Sequence, residues 1–179
     1  LSAAYGVGSV LLKVVEDGNS VEEVWKNADV LRSHWTTPIY HDGYVYGFSG
    51  RHERPSSMRC LDWKTGELQW MTEEDDSGGL LNNRGDGFSP RPPDWYGRGS
   101  AIMAEGKFIV LGERGTLAMV PVDPEKFSEI CRVDFPEMKY PSWTAPILSR
   151  GRLYVRCEDK GREHDYQFLC LDLSASEGK

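Results

Sequence analysis

Short runs of alternating hydrophobic and polar residues recur along the chain, separated by turn-forming residues. Residues 44–48, Tyr-Val-Tyr-Gly-Phe, place their side chains on opposite faces at every step, as a pleated strand requires. Runs of this kind follow Gly43, Gly106 and Gly151, at positions where a tight hairpin needs a residue with positive φ. The pattern predicts an all-β protein in which hairpins turn at these three glycines.

One sequence unit occurs three times. Trp35-Thr36-Thr37-Pro38-Ile39 recurs as Trp143-Thr144-Ala145-Pro146-Ile147, 108 positions later. The three glycines occupy the same position in their copies and lie 63 and 45 residues apart. A unit of about 45 residues with four short strands is the signature of a propeller blade. The sequence therefore predicts a β-propeller made of four-stranded antiparallel blades.

The repeat divides the chain into blades. Residues 1–27 are interpreted as the end of one blade, 35–71 and 98–134 as two full blades, and 143–173 as a blade without its fourth strand. Residues 72–97, rich in Gly, Pro, Asp and Asn, are predicted to form an inserted loop outside the blade framework. Strands are expected at 10–14, 21–25, 37–41, 44–49, 57–63, 67–71, 100–104, 107–112, 116–122, 129–134, 144–148, 152–157 and 166–173.

Two segments carry helical signals. Ser20-x-x-Glu23 is a capping-box pattern, and apolar residues between 21 and 31 fall on one helical face. The repeat places Trp25 at a strand end instead, and we favour the strand. A short helix is expected at 123–126, where Asp123 would cap the helix and Pro124 would occupy its first turn.

Charge and hydropathy argue against two classes of function, nucleic-acid binding and membrane spanning. The chain has 21 Lys+Arg against 28 Asp+Glu, a formal net charge of −7, and no basic stripe. Nucleic acid is therefore not an expected partner. No apolar run approaches the roughly 20 residues of a membrane-spanning helix, so no membrane span is predicted. Six Trp, eight Tyr, 19 Gly and 10 Pro agree with an all-β protein rich in turns.

The cysteines give no sign of a metal site or a dense disulfide framework. Cys60, Cys131, Cys157 and Cys170 lie far apart, without a C-x-x-C pair or a histidine at zinc-ligand spacing. We interpret them as buried small hydrophobic residues on strands. No nucleophile elbow and no phosphate-binding loop followed by a helix is found. The sequence thus predicts no catalytic residue and no metal ligand.

The segment from Cys60 to Trp70, Cys-Leu-Asp-Trp-Lys-Thr-Gly-Glu-Leu-Gln-Trp, resembles the repeat of the pyrroloquinoline-quinone-type (PQQ-type, quinoprotein-like) β-propellers. In that family a hydrophobic-Leu-Asp strand end, a Lys-Thr-Gly turn and a later Trp recur from blade to blade. Asp62, Thr65, Gly66 and Trp70 match this motif. Gly66 is expected to supply the turn conformation, Asp62 and Thr65 to hydrogen-bond the turn backbone, and Trp70 to wedge between blades.

The resemblance is to the branch with the outer-membrane-assembly lipoprotein and uncharacterised exported bacterial propellers. It implies a ring of seven or eight blades, of which this chain would supply about three and a half as a C-terminal part. The remaining blades would then be its partners, and its location would be exported or periplasmic.

The same family includes quinone-dependent dehydrogenases, which hold PQQ against adjacent cysteines and a calcium ion bound by Glu, Asn and Asp. This sequence has no Cys-Cys pair, so no cofactor is predicted in this segment. The sequence favours a non-catalytic binding or assembly scaffold. The alternative is part of a quinoprotein-like oxidoreductase, whose residues for PQQ and calcium would lie in other blades.

One group of loops is a candidate binding face. In a propeller, the loops from fourth to first strands and from second to third strands lie around the axis on one face. The candidates in these loops are His34, Trp35, Arg51, His52, Arg54, Arg98, Arg114 and Trp143. Arginines and aromatics there, in an acidic protein, predict a mouth that binds a protein or a small anion. The alternative is that the two tryptophans pack between blades and the arginines are solvated.

Overall fold

The computed structural model describes residues 1–16, 18–50, 56–72, 96–135, 138, 140–159 and 165–174. Within these residues the chain forms strands in four antiparallel sheets and contains no helix. The strands are β1 (Ser2–Ala3), β2 (Gly8–Val14), β3 (Val21–Asn27), β4 (Ile39–His41), β5 (Tyr44–Ser49), β6 (Ser57–Asp62), β7 (Leu68–Met71), β8 (Ser100–Ala104), β9 (Lys107–Leu111), β10 (Thr116–Pro121), β11 (Cys131–Asp134), β12 (Ile147–Ser149), β13 (Arg152–Asp159) and β14 (Asp165–Asp172).

Every sheet is a meander in which strands that follow each other in sequence pair with each other. Two sheets have four strands, β4-β5-β6-β7 and β8-β9-β10-β11, and two have three, β1-β2-β3 and β12-β13-β14. This strand order is that of a propeller blade. The predicted fold class, all-β with antiparallel blade-type sheets, is confirmed, and the strands begin and end within a few residues of the expected positions.

The chain divides into two compact units. Unit 1 comprises residues 1–98 and 123–127, and unit 2 comprises 99–122 and 128–179. In unit 1, Val30 and Leu31 of the segment after β3 pack with Leu61 of β6 and Val45 of β5. A hydrophobic core of unit 2 contains Ile109, Leu111, Leu117, Met138, Leu153, Val155 and Cys157. Since these residues come from both sheets of unit 2, their burial fixes one sheet against the other.

The predicted hairpin turns are confirmed at all three glycines. Gly43, Gly106 and Gly151 have φ values of 88°, 69° and 73°, and they join β4 to β5, β8 to β9 and β12 to β13. The residue before each glycine is also left-handed, with φ between 45° and 50° for Asp42, Glu105 and Arg150. Two consecutive residues with positive φ make a type I′ turn, whose twist matches that of the paired strands.

The helical expectation at 123–126 is wrong, because this segment forms a turn without helix. The Asp123 carboxylate accepts the backbone N–H groups of Glu125 and Lys126, at 2.8 and 3.4 Å. The Ile130 N–H then donates to the carbonyl of Met119 in β10, so the chain has returned to its sheet. The alternative helix around residues 20–31 is absent as well, since 21–27 is strand β3.

The inserted loop predicted at 72–97 lies outside the described residues over 73–95. Thr72 is buried and continues the pairing of β7 with β6, donating its N–H to the carbonyl of Met58 at 2.9 Å. At the far end, Tyr96 is buried in unit 1, with its ring 6.1 Å from that of Phe127.

Candidate functional site

The turn of the repeat motif has the predicted chemistry. The Asp62 carboxylate accepts the N–H groups of Lys64 and Thr65, each at 2.8 Å. These bonds, with the N–H of Thr65 contributing most, lower the pKa of the Asp62 carboxyl. Gly66 has φ 74°, and its N–H donates to the carbonyl of Asp62. The side chain of Asp62 therefore holds the turn that leads from β6 to β7.

Two tryptophans on outer strands dock against turns of this kind. The Trp25 indole N–H donates to the carbonyl of Trp63 at 2.9 Å, and the Trp25 ring covers Gly66. The Trp70 indole N–H donates to the carbonyl of Asp123 at 2.8 Å. The Trp70 ring also lies 5.7 Å from that of Phe127. Trp70 is thus on the outer strand, as expected, while its wedging between blades stays a prediction.

The two tryptophans occupy the same position in their sheets. Trp25 of β3 lies opposite Leu11, and Trp70 of β7 lies opposite Cys60. In both pairs the register shifts by one residue at the next step. A β-bulge of this kind bends the strand and changes the direction of the side chain beside it. The tryptophan and its bulge thus recur in the first sheet, for which the sequence predicts strands at 10–14 and 21–25 with Trp25 at a strand end.

In unit 1, two of the predicted site residues form an exposed cluster with a tyrosine. The Tyr5 hydroxyl and His34 Nε2 are 2.9 Å apart and hydrogen-bonded. The His34 ring lies 4.1 Å from the ring of Trp35, measured between centroids. Trp35 is 47% exposed. We call Tyr5, His34 and Trp35 the Trp35 cluster; nothing in the sequence pointed to Tyr5.

A buried arginine fixes the segment that carries this cluster. Arg59 of β6 donates from one terminal nitrogen to the carbonyls of Asp29 and Val30, at 2.8 and 2.9 Å. Its Nε donates to the hydroxyl of Ser57 at 2.9 Å. The guanidinium fork suits several carbonyls at once, so Arg59 positions the chain between β3 and β4. Nothing in the sequence indicates this role, because a single arginine on a strand is typical of a surface residue.

In unit 2, Arg114 and Trp143 come together around a tyrosine and a buried carboxylate. The Arg114 guanidinium lies over the Tyr140 ring, 5.0 Å from its centroid. The Tyr140 and Trp143 rings meet edge to face at 5.5 Å. The Trp143 indole N–H points at Glu113 Oε2, 3.4 Å away, and Glu113 is 2% exposed. We call Glu113, Arg114, Tyr140 and Trp143 the Arg114 cluster.

The backbone between β9 and β10 and before β12 supports this cluster. The N–H of Ser142 donates to the carbonyl of Glu113 at 2.9 Å, so the two segments are joined directly. Arg114 is partly exposed, but its Nε is buried and has no hydrogen-bond acceptor among the described residues. A partly exposed guanidinium held against a ring can donate hydrogen bonds to a ligand that brings acceptor oxygens.

Of the other predicted site residues, one is buried and three lie outside the part of the chain that the structure describes. Arg98 is 7% exposed in unit 1 and is therefore not a rim residue open to solvent. Arg51, His52 and Arg54 lie outside the described residues. The Trp35 cluster lies in unit 1 and the Arg114 cluster lies in unit 2. The expectation that both belong to one face stays a prediction.

The interpretation of the cysteines is right for two of them and wrong for the other two. Cys60 and Cys157 are buried, whereas Cys131 and Cys170 are exposed on their strands, and all four are free thiols. Burial raises the pKa of Cys60 to about 11, partly offset by hydrogen bonding with the Tyr46 hydroxyl. The exposed pair arises because alternation along a strand tells which residues share a face, but not whether another element covers that face.

The rate of alkylation is expected to distinguish the exposed thiols from the buried Cys60 thiol. At pH 8 iodoacetamide should modify Cys131 and Cys170 rapidly and Cys60 roughly a hundredfold more slowly, because its thiolate is scarce and inaccessible. Mass spectrometry of the digested protein measures each site, and protein unfolded in guanidinium provides the reference rate. Labelling of Cys60 as fast as that of Cys131 would contradict the buried position.

The part of the chain that the structure describes contains no helix able to span a membrane. Across the same residues, no three His, Cys, Asp or Glu side chains gather as a metal ion would require.

Comparisons with known proteins find similar solved structures at low identity and no family. No family model and no curated protein matches it. Similar solved structures include BamB from Moraxella catarrhalis, at 13% identity and a TM-score of 0.46, over 82% of this chain and 39% of that one. The computationally designed Ika8 protein has 11% identity and a TM-score of 0.42, over 83% and 40%. An α-L-arabinofuranosidase from Clostridium thermocellum has 11% identity and a TM-score of 0.43, over 86% and 54%. The chain thus spans about two fifths to one half of the length of these proteins.

Proposed function

We propose that this chain is a blade-type scaffold that binds an acidic segment of a partner protein and catalyses no reaction itself. The observation that carries the proposal is the Arg114 cluster, in which a partly exposed guanidinium is held over an aromatic ring. Arginine, tyrosine and tryptophan are the residue types that most often dominate the energy of protein interfaces.

Rigidity supports a binding role for this cluster. Tyr140 and Trp143 pack edge to face, and the buried Glu113 carboxylate receives the indole N–H of Trp143. Side chains held in this way lose little conformational freedom on binding, and this lowers the free-energy cost of association. The Trp35 cluster has the same character, because Trp35 is exposed while its ring packs on His34. We propose it as a second contact with protein partners.

Because the chain has a negative net charge, an acidic partner is expected to bind only at a local site that offers positive charge and hydrogen-bond donors. With a formal net charge of −7, the protein as a whole repels acidic peptides. Binding of such a peptide would therefore indicate hydrogen-bond donors at a local site, and not attraction by the net charge of the protein.

The proposal also includes further blades, as the PQQ-type resemblance implies, and export to the periplasm.

Fluorescence anisotropy with a fluorescein-labelled hexaglutamate peptide tests the proposal at low ionic strength. We expect the protein to bind the peptide, and we expect Arg114→Gln to weaken binding roughly tenfold, because a charge-assisted hydrogen bond is lost. Arg132→Gln is the matched control. Arg132 is also in unit 2, but its guanidinium is already paired with Glu129.

Two results would contradict the assignment. Absence of peptide binding to the unmodified protein would contradict the proposal that an acidic segment is the partner. Equal weakening by Arg114→Gln and Arg132→Gln would show that the peptide responds to net charge and not to the Arg114 cluster. Circular dichroism of both variants ensures that they are compared in the folded state.

A further inference from the structure

An exposed aromatic pair lies at the turn end of the β4-β5-β6-β7 sheet, within unit 1. Tyr40 of β4 is 56% exposed, and Trp63, the residue after β6, is 38% exposed. Their ring centroids are 5.1 Å apart, and the ring planes are inclined by 65°. Single aromatic residues on a surface are common, but two exposed rings in contact offer a ligand both a face and an edge.

Backbone hydrogen bonds hold Trp63 beside the turn from β4 to β5. The N–H of Trp63 donates to the carbonyl of Gly43 at 2.9 Å. The carbonyl of Trp63 accepts the indole N–H of Trp25, also at 2.9 Å. The chain at Trp63 is thus fixed from two sides by bonds that do not involve its own side chain. Little backbone freedom is lost when a ligand contacts the ring, and this favours binding.

The repeat shows that the fold does not require aromatic residues at these two positions. In the other two repeats, the residues whose N–H groups donate to the carbonyl of the hairpin glycine, as that of Trp63 does, are Val122 and Leu173. The residues three positions before the hairpin glycine, which correspond to Tyr40, are Met103 and Leu148. Because non-aromatic side chains are compatible with the same turns, the aromatic pair points to a role beyond the fold.

Acidic side chains predominate on the two turns that carry the pair. Asp42 lies on the turn from β4 to β5, and Asp62 and Glu67 flank the turn from β6 to β7, against a single lysine, Lys64. The whole chain also has a formal net charge of −7. The charge of this surface therefore favours a positively charged ligand over a negatively charged one.

We propose that Tyr40 and Trp63 bind an arginine side chain from a basic segment of a partner protein. A guanidinium is attracted to the face of an aromatic ring, stacks on it, and is more weakly hydrated than an ammonium group. The carboxylates on the two turns favour the approach of the basic segment. This site lies in unit 1 and does not rest on the Arg114 cluster of unit 2 or on its acidic ligand.

Fluorescence anisotropy with fluorescein-labelled hexaarginine tests the site at physiological ionic strength. We expect the protein to bind the peptide, and we expect Trp63→Leu to raise the Kd about fivefold, because an exposed cation–π contact is lost. The substitution leaves the net charge unchanged and introduces the residue type that the equivalent position has in the last sheet. Leu173→Ala, at that equivalent position, is the matched control and should leave the Kd unchanged.

Hexalysine distinguishes ring stacking from attraction between opposite charges. It has the same charge as hexaarginine but no planar group, so Trp63→Leu should change its Kd by less than about twofold. Tyr40→Leu is a second variant, which removes the other ring, and it should also weaken the binding of hexaarginine. Circular dichroism ensures that only folded variants are compared.

Three results would overturn the proposal. The first is that the unmodified protein does not bind hexaarginine, or binds it as tightly as the two variants Trp63→Leu and Tyr40→Leu do. The second is that Trp63→Leu weakens the binding of hexaarginine and hexalysine equally, since the site would then not select a guanidinium. The third is that Leu173→Ala weakens the binding of hexaarginine as much as Trp63→Leu does, since the aromatic ring would then have no special part.

Discussion

Replacement of Gly66 by alanine is expected to lower the free energy of unfolding by about 3 kcal/mol. Gly66 has φ 74°, a conformation that costs a residue with a Cβ atom roughly 1–2 kcal/mol. The added Cβ would also lie 2.7 Å from Cδ2 of Trp25, well inside contact distance. The indole cannot yield easily, because its N–H is bonded to the carbonyl of Trp63. Relieving this overlap costs about 1–3 kcal/mol more. Urea denaturation followed by fluorescence measures the difference.

Gly43→Ala is the matched control for this experiment. Gly43 has φ 88°, but nothing lies within 4 Å of the position its Cβ would take. Only the backbone strain remains, so a loss of about 1–2 kcal/mol is expected. In the double variant Trp25→Ala/Gly66→Ala, the cost of the Gly66 change should fall to that of Gly43→Ala. Equal losses for the two single variants would refute the docking of Trp25 on this turn.

Trp70→Ala is expected to lower the free energy of unfolding by about 2–3 kcal/mol. Full burial of the ring would predict roughly 3–5 kcal/mol, but Trp70 is partly exposed, and the expectation is reduced accordingly. The loss combines the packing on Tyr46 and Phe127 with the hydrogen bond to the carbonyl of Asp123. Thermal or urea unfolding measures it.

Trp70→Phe separates these contributions. It keeps most of the aromatic packing and removes the indole donor, so about 1 kcal/mol should be lost. A loss below about 1 kcal/mol for Trp70→Ala itself would mean that the ring does not secure the segment at 123–127.

The strands and turns were predictable because local physics determines them. Gly43, Gly106 and Gly151 each stand where a two-residue hairpin needs positive φ, and the alternating runs beside them leave little choice of pairing register. The repeat then fixed which strands belong together. The position of Trp25 followed from the same register, although residues 20–31 also fit a helical pattern.

The segment at 123–126 was beyond local prediction. An aspartate followed by a proline can start a helix or make a turn, since in both cases the carboxylate receives backbone N–H groups two and three residues later. The return of Ile130 to the edge of β10 decides between them, and this depends on the sheet as a whole. Tertiary pairing overrides the local preference.

The candidate site was only partly predictable for a similar reason. Trp35 and Arg114 were found because loops of the repeat carry them, but their neighbours Tyr5 and Tyr140 come from segments without a motif. The exposure of Cys170 depends on which element covers its sheet, and alternation within β14 contains no such information.

An assay for quinone-dependent oxidation tests whether this chain is a binding scaffold without a reaction of its own. PQQ and calcium are added to the purified chain, and dye reduction is followed with a panel of alcohols and sugars. Catalysis of this kind needs a cofactor fixed by groups that converge on it. We expect no turnover above the background of free PQQ and calcium. Turnover that exceeds this background and saturates with substrate would contradict the scaffold and favour an oxidoreductase.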